Sequence, residues 1–483
     1  MSEYKEVTGN KVATNLVWRF AERWGAQGVS FIVSIVLARM LTPEDYGLIA
    51  VVTVITSILN VFIDSGMANA LIQKKDADEL DFSSVFFFNI IFCLILYICL
   101  FLAAPGIAKL YHAEELVAVV RVLGLSLVIA GIKNTQMSYV SRTMQFKRFF
   151  FATLGGTVVA AIVGIVMAYM GFGAWALITQ QLVNSMIDTL ILWFTVRWRP
   201  KLVFSVGRLR TLLSFGWKIL ASNLLETIYN NIRTIIIGVV YSSKDLGLYN
   251  KGKSFPWLVI ENINSSINSV LLPAMSSKQD DTKTLKSMTQ RSIKMSIYIM
   301  APIMMGLCFV ATPLIRLLLT EKWLPCITYM RIFCITYMFY PIHTANLNAI
   351  LAKGRSDLFL KLEIIKKVIG VIALIITVPI SVKAIGYSLI FTSVASQIIN
   401  SWPNRKLLNY GYLEQLKDIL PGIMLAVFMG GCVSLVSLLH LPDIVTLLIQ
   451  VPLGALIYIG LSMLFKLDSF EYLWQMLKSM IRK

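Results

Sequence analysis

The chain has 483 residues, of which 57% are hydrophobic and only 14% charged. Soluble domains carry about a quarter charged residues, so this composition excludes a soluble enzyme or binding domain and implies an integral membrane protein. The net charge of +18 would suit a nucleic-acid binder, but the basic residues fall between apolar runs, where they act as an orientation signal instead.

Crossing a bilayer takes about 20 mostly apolar residues. Fourteen such segments follow in chain order: 14–40, 46–72, 82–104, 115–140, 149–170, 174–196, 211–240, 254–275, 292–319, 325–351, 358–380, 384–402, 416–439 and 444–466. Each is expected to be a helix, because lipid satisfies no open backbone group. The connectors are too short for a soluble domain. The opening stretch "MSEYKEVTGNKVATN" is polar and no small-residue cleavage site follows a short apolar core. The first helix is therefore expected to serve as an uncleaved anchor. With the N-terminus inside, most Lys and Arg fall in cytoplasmic segments, among them Arg142, Lys147, Arg148, Arg197, Arg199, Arg208, Arg405 and Lys406. The expected topology places both termini in the cytoplasm.

The chain is written twice. "LTPEDYGLI" (41–49) follows the first helix and "YSSKDLGLY" (241–249) follows the seventh, so that Asp45, Gly47 and Leu48 match Asp245, Gly247 and Leu248. "DSGMANALI" (64–72) aligns with "NSSINSVLL" (264–272), Arg121 with Arg331, and "FGAWAL" (172–177) with "AIGYSL" (384–389). Helices 1–6 and 7–12 thus read as a duplication with helices 13 and 14 appended. The expected parts are 1–210, 211–402 and 403–483, the last ending in a cytoplasmic tail. Six spans per copy give both halves one orientation. Such parallel repeats, related by an axis along the membrane normal, are a transporter architecture.

Both copies open on a helix with a polar stripe. Arg19, Arg23, Gln27, Ser30 and Ser34 step by three or four, and so do Lys218, Ser222, Glu226, Tyr229 and Arg233; this spacing keeps them on one face. Facing lipid, Arg19, Glu22, Arg23, Lys218, Glu226 and Arg233 would together cost roughly 15 kcal/mol if all were central. They are expected to face a wet interior instead. Four cations against two carboxylates leave a positive surplus suited to an anionic substrate. Two other uses of these groups stay open. Arg19 and Lys218 can snorkel to headgroups, and Glu226 and Arg233 can pair with each other or a neighbour. Asp64, Lys133, Asp188, Glu261 and Asn264 add further intramembrane polar groups, which can line a cavity or glue helices together.

No catalytic or metal constellation is expected. The six cysteines lack metal-ligand spacing and the histidines are scattered. "DAD" (76–78) mimics the metal-binding carboxylates of glycosyltransferases, but it lies in a short loop without a nucleotide-binding domain.

The stretch "WRFAERWGAQGVSFIVSIVLARMLTPEDYGLIAVVTVI", continued by "FIDSGMANALIQKKD", resembles the start of polysaccharide and lipopolysaccharide biosynthesis transporters. It is most similar to the Wzx-type flippases, including the colanic-acid and teichuronic-acid branch, of the multidrug/oligosaccharidyl-lipid/polysaccharide exporter superfamily. Arg39 to Gly47 carry the most specific part of this resemblance, an R-x-L-x-P-x-D-Y/F-G signature. The resemblance implies an all-α polytopic fold with fourteen transmembrane helices, two six-helix lobes and a terminal pair. It implies a flippase of a bacterial cytoplasmic (inner) membrane. Such a protein moves undecaprenyl-diphosphate-linked oligosaccharide to the outer leaflet by alternating access, and polymerase and assembly proteins are its partners. Helix-1 cations are implicated in related lipid flippases, which points to Arg19 and Arg23; Lys218, Arg233 and Lys133 are added from their positions. Glu22, Asp64, Asp188, Glu226 or Glu261 would couple transport to H⁺ or Na⁺, and no other cofactor is expected. A drug/cation antiporter of the same superfamily and a membrane enzyme of polysaccharide assembly are the alternatives. The antiporter would want an acidic or aromatic cavity, and the enzyme would need larger outer loops than this chain has.

Overall fold

Helix follows helix, as expected of a chain whose backbone must satisfy itself in lipid. The computed structural model describes residues 9–64, 71–72, 74, 76–143 and 145–481. Among the described residues the chain runs through α1 (Gly9–Met40), α2 (Pro43–Asp64), α3 (Glu79–Leu110), α4 (Leu116–Arg142), α5 (Phe146–Tyr169), α6 (Ala174–Thr195) and α7 (Val206–Val240). Next come α8 (Ser243–Ser276), α9 (Thr282–Phe309), α10 (Ala311–Leu319), α11 (Ile327–Met338) and α12 (Tyr340–Ala352). The chain closes with α13 (Ser356–Thr377), α14 (Val382–Leu407), α15 (Tyr412–Leu435), α16 (Asp443–Leu464) and α17 (Asp468–Ile481). Two units separate, Met1–Gly247 and Leu248–Lys483.

Helix occurs in each of the fourteen expected segments. Among the described residues eight helices are long and apolar enough to cross a membrane on length and composition alone: α2, α3, α4, α5, α9, α14, α15 and α16. Of α1 the described stretch Trp24–Met40 is apolar but shorter, and others, such as α6, α7 and α8, fall short of that measure because polar side chains interrupt them.

Two expected single helices are broken, each beside a proline. The segment 292–319 divides between α9 and α10, with Pro313 in the first turn of α10, where a missing N–H costs nothing. The segment 325–351 divides at Phe339, ahead of Pro341 in the first turn of α12.

In the first unit, α5 offers α6 a seam of small residues. Ala152, Gly156, Ala160, Gly164 and Ala168 recur at every fourth position and all are buried. A Cβ added to Gly156 would lie 3.0 Å from the Asn184 carbonyl oxygen, and one on Gly164 would lie 3.0 Å from the Cβ of Gln180. Such small-residue rows let helices approach in lipid, where close packing replaces the hydrophobic drive. Gly131 of α4 meets α3 in the same way, its absent Cβ only 2.7 Å from the Cys93 sulfur.

Within the second unit, a buried amide cluster ties three helices together. Asn346 and Gln415 exchange side-chain hydrogen bonds of 2.9 and 2.8 Å, and Asn404 donates to the Asn346 side-chain oxygen at 2.7 Å. Tyr458 of α16 donates to the Tyr298 carbonyl of α9 at 2.9 Å.

Positions matched between the sequence halves make matching local contacts. Arg121 donates from Nε to the Phe101 carbonyl, and Arg331 donates likewise to the Cys308 carbonyl. Thr42 and Asp45 cap α2 reciprocally, and Ser242 and Asp245 cap α8 in the same manner.

The residues expected to form a cytoplasmic tail include a last helix, α17. It is too short and too charged to register as a span. It is held by Lys294, 3.5 Å from Asp468, and by the Arg291 guanidinium, 3.3 Å over the Tyr472 ring.

Candidate functional site

The intramembrane polar groups singled out in the first unit sit on α1, α2, α4, α6 and α7. The side chains of Arg19, Arg23, Asp64 and Lys218 lie outside the described residues, although all four positions are helical. Glu22 of α1 is buried and accepts a hydrogen bond from Thr153 Oγ1 of α5 at 3.2 Å.

Lys133 of α4 and Asp188 of α6 form an ion pair 2.8 Å long. The side chains keep 22% and 17% of their exposure, so the pair is sheltered but not sealed. A cation expected to bind substrate and a carboxylate expected to couple to an ion are therefore each other's partner. Asp188 also packs behind the small-residue seam, its Cβ 3.2 Å from where a Gly156 Cβ would sit. Next along α4, Asn134 donates to the Ile63 carbonyl of α2 at 3.1 Å.

On α7 the stripe is less neutralised. Glu226 is exposed and accepts from Asn230 at 3.1 Å. Arg233 is half-buried, and its buried Nε has no hydrogen-bond partner. Among the described residues no carboxylate lies within ion-pair distance of Arg233. In the second unit Glu261 of α8 is exposed. Asn264 accepts from Thr344 Oγ1 of α12 at 2.7 Å, and Asn268 accepts from Asn348 at 2.9 Å. Here the amides of α8 bind a neighbouring helix.

A charged hub that no expectation from the sequence included stands at one end of the first unit. Asp81 of α3 is fully buried and lies 2.6 Å from Lys74 and 3.1 Å from Arg208. Asp78 caps α3 in a reciprocal capping box with Asp81 and pairs with Arg208 at 3.2 Å. The backbone N–H of Asp81, aided by Arg208 and Lys74, holds the Asp78 carboxyl below its usual value. Arg142 donates to the carbonyls of Leu71 and Lys74, both at 2.7 Å. Ser83 and Ser84 accept from the backbone of Lys201 and Ser205 at 3.0 and 2.9 Å, and Lys201 pairs with Glu79. The whole segment between α6 and α7 is thus fastened to the start of α3. The D-x-x-D spacing of a capping box was the available signal. Among the described residues no group of His, Cys, Asp and Glu could hold a metal ion.

A family described as "Polysaccharide biosynthesis protein" matches residues 36–328. Three curated proteins are similar to this chain. A succinoglycan biosynthesis transport protein, ExoT of Rhizobium meliloti, is 25% identical over 66% of this chain and 64% of its own length, so the match spans a little under two thirds of that relative. A lipopolysaccharide biosynthesis protein, WzxC of Escherichia coli, is 24% identical over 77% of this chain and 76% of its own. A teichuronic acid biosynthesis protein, TuaB of Bacillus subtilis, is 25% identical over 67% of each. Among solved structures, the lipid II flippase MurJ superposes with a TM-score of 0.73 at 16% identity, covering 93% of this chain and 98% of MurJ. An inward-facing transporter described as a multidrug resistance MATE family member of the MOP superfamily superposes at 0.63 with 16% identity, over 79% of this chain and 94% of its own. These likenesses establish the fold.

Proposed function

The chain belongs to the polysaccharide biosynthesis protein family, and we infer that it is a membrane transporter of the multidrug/oligosaccharidyl-lipid/polysaccharide exporter superfamily. From that premise we propose that it flips an undecaprenyl-diphosphate-linked oligosaccharide from the cytoplasmic to the outer leaflet of a bacterial inner membrane. Transport proceeds by alternating access between two six-helix lobes, with both termini in the cytoplasm and a surface-polysaccharide polymerase downstream.

The observation that carries this reading is Arg233, a half-buried cation on the α7 stripe with no carboxylate partner among the described residues and a buried Nε without an acceptor. An unpaired guanidinium at membrane depth is costly. It is compensated when a diphosphate accepts from its planar fork of donors. Arg19 and Arg23 occupy the equivalent stripe of α1 and complete a cationic path for the headgroup. Lys218 stands at the start of the α7 stripe. Lys133 acts through Asp188, and Asp188, Glu22 or Glu226 supplies the proton or sodium coupling.

The test is complementation in a strain that depends on this gene for surface polymer. Arg19→Ala, Arg23→Ala and Arg233→Ala are expected to abolish polymer and accumulate lipid-linked intermediate in the inner leaflet, at normal protein levels. Unchanged polymer in all three variants would refute the cationic path.

A further inference from the structure

A second cationic feature of the first unit lies apart from the stripes. Helix α5 begins "QFKRFF", with no acidic residue in its first turn and no side-chain hydrogen bond at its cap. Lys147 and Arg148 stand there instead, where the positive end of a helix repels them. Neither has an ion-pair partner among the described residues. Both line a cavity of about 490 Å³ together with Gln145, Phe151 and Thr195. One donor of these lining residues, Arg148 Nη1, is buried without a hydrogen-bond partner; native structures leave few such groups unexplained.

The surroundings suit an anion. An open helix start, a guanidinium and an ammonium together form a receptor for a phosphate. Phe151 lines the cavity and further rings stand beside it: Lys147 Nζ lies 5.4 Å over the Trp18 ring and 5.9 Å over the Phe151 ring, and Trp18 meets Phe150 edge-on at 5.2 Å. Aromatic rings beside basic residues at the end of a spanning helix mark headgroup depth, and the positive-inside reading assigns this end to the cytoplasm. We propose that the cavity at the start of α5 binds the phosphate of a lipid headgroup from the cytoplasmic leaflet, with Lys147 and Arg148 as its donors and the Trp18–Phe151 wall along the first part of the lipid chain. For the identity of that lipid the proposal rests on the flippase reading. A polyprenyl diphosphate docked here would stand beside α1, on which Arg19 and Arg23 lie.

The test is direct binding by the full chain in nanodiscs of zwitterionic lipid. Three probes are titrated: undecaprenyl diphosphate, phosphatidylglycerol and soluble pyrophosphate. Lys147→Gln/Arg148→Gln is expected to bind one or both lipids on the order of tenfold more weakly, while Lys383→Gln binds as the wild type does. Arg148→Lys, which keeps the charge and loses the fork, is expected to fall between them and guards against a folding defect in the double variant. Loss confined to undecaprenyl diphosphate identifies a substrate dock, and loss confined to phosphatidylglycerol identifies a phospholipid seat; either supports the site. Equal lipid binding in the wild type and the double variant overturns it, as does an effect on pyrophosphate alone. Because binding is read without transport, the result stands whether or not the complementation test above succeeds.

Discussion

Gly47 and Gly247, which occupy equivalent places in the two sequence copies, meet backbone to backbone in the first unit. A Cβ on Gly247 would sit 3.1 Å from the Gly47 nitrogen and on top of the Pro43 carbonyl oxygen, and a Cβ on Gly47 would fall on the carbonyl of Ser243. The starts of α2 and α8 therefore cross at a distance that no side chain tolerates. Glu44 and Lys244, again equivalent positions, face each other across the crossing at 3.6 Å. Both obstructing groups are backbone, so no rotamer change can relieve the clash. Gly47→Ala or Gly247→Ala should each cost more than the about 1–3 kcal/mol of ordinary overpacking. Thermal unfolding in detergent should show the loss, while Gly28→Ala, whose Cβ would meet nothing within 4 Å, should unfold like the wild type. Similar midpoints for all three variants would show that the crossing opens freely.

Asp81 sets up an asymmetric prediction. The carboxylate is fully buried, whereas its partners Lys74 and Arg208 keep 31% and 38% of their exposure. Removing both cations strands a buried charge, at a cost of roughly 3–5 kcal/mol. Asp81→Asn strands only cations that reach water, and the loss should be about 1–3 kcal/mol. Lys74→Ala/Arg208→Ala should therefore unfold at a lower temperature than Asp81→Asn. The reverse order would mean that the hub is held by its backbone and serine contacts.

The acid response of one cap follows from its geometry. Asp281 accepts from Thr284 Oγ1 at 2.6 Å and from the Thr284 backbone at 3.0 Å. The Thr284 hydroxyl, then the backbone bonds, hold its carboxyl below the ordinary value of 3.8. A depressed folded value means that the stabilisation is full above the unfolded value and is lost as pH falls through the folded one. Hydrogen-exchange protection in the first turn of α9 should be flat from neutral pH down to about 4 and decline below it. Asp281→Asn keeps an acceptor and should abolish the decline; an unchanged acid profile in that variant would rule the cap out as its source.

Helix positions were legible because lipid leaves the backbone no alternative, so apolar runs marked them even where polar side chains interrupt the helix. The matching caps of α2 and α8 were legible in the repeated Asp-x-Gly spacing. The breaks beside Pro313 and Pro341 were not foreseen, since hydropathy averages over a proline that tertiary packing turns into a division. Helix α17 escaped because its apolar residues, Phe470, Leu473 and Trp474, show as a face and not as a run. The Asp81 hub was not legible because one of its partners, Arg208, lies 127 residues away and "DAD" resembles a catalytic motif more than a cap. Lys133 and Asp188 were both singled out, yet a partnership across 55 residues leaves no trace in spacing.

That partnership separates structure from transport. Lys133→Ala leaves Asp188 sheltered and unpaired. A fully buried pair would lose roughly 3–5 kcal/mol, and this partly wetted one should fall at the lower end. Lys133→Ala/Asp188→Ala removes both charges and should recover most of that stability, seen as restored protein level and unfolding temperature. Surface polymer is then the deciding readout. Polymer restored with stability would make the pair a clamp between α4 and α6 and nothing more. A stable double variant that exports no polymer would place Asp188 among the coupling carboxylates. In that case Asp188→Asn alone should also arrest export, because an amide can fill the same space and accept the same hydrogen bond but cannot release a proton.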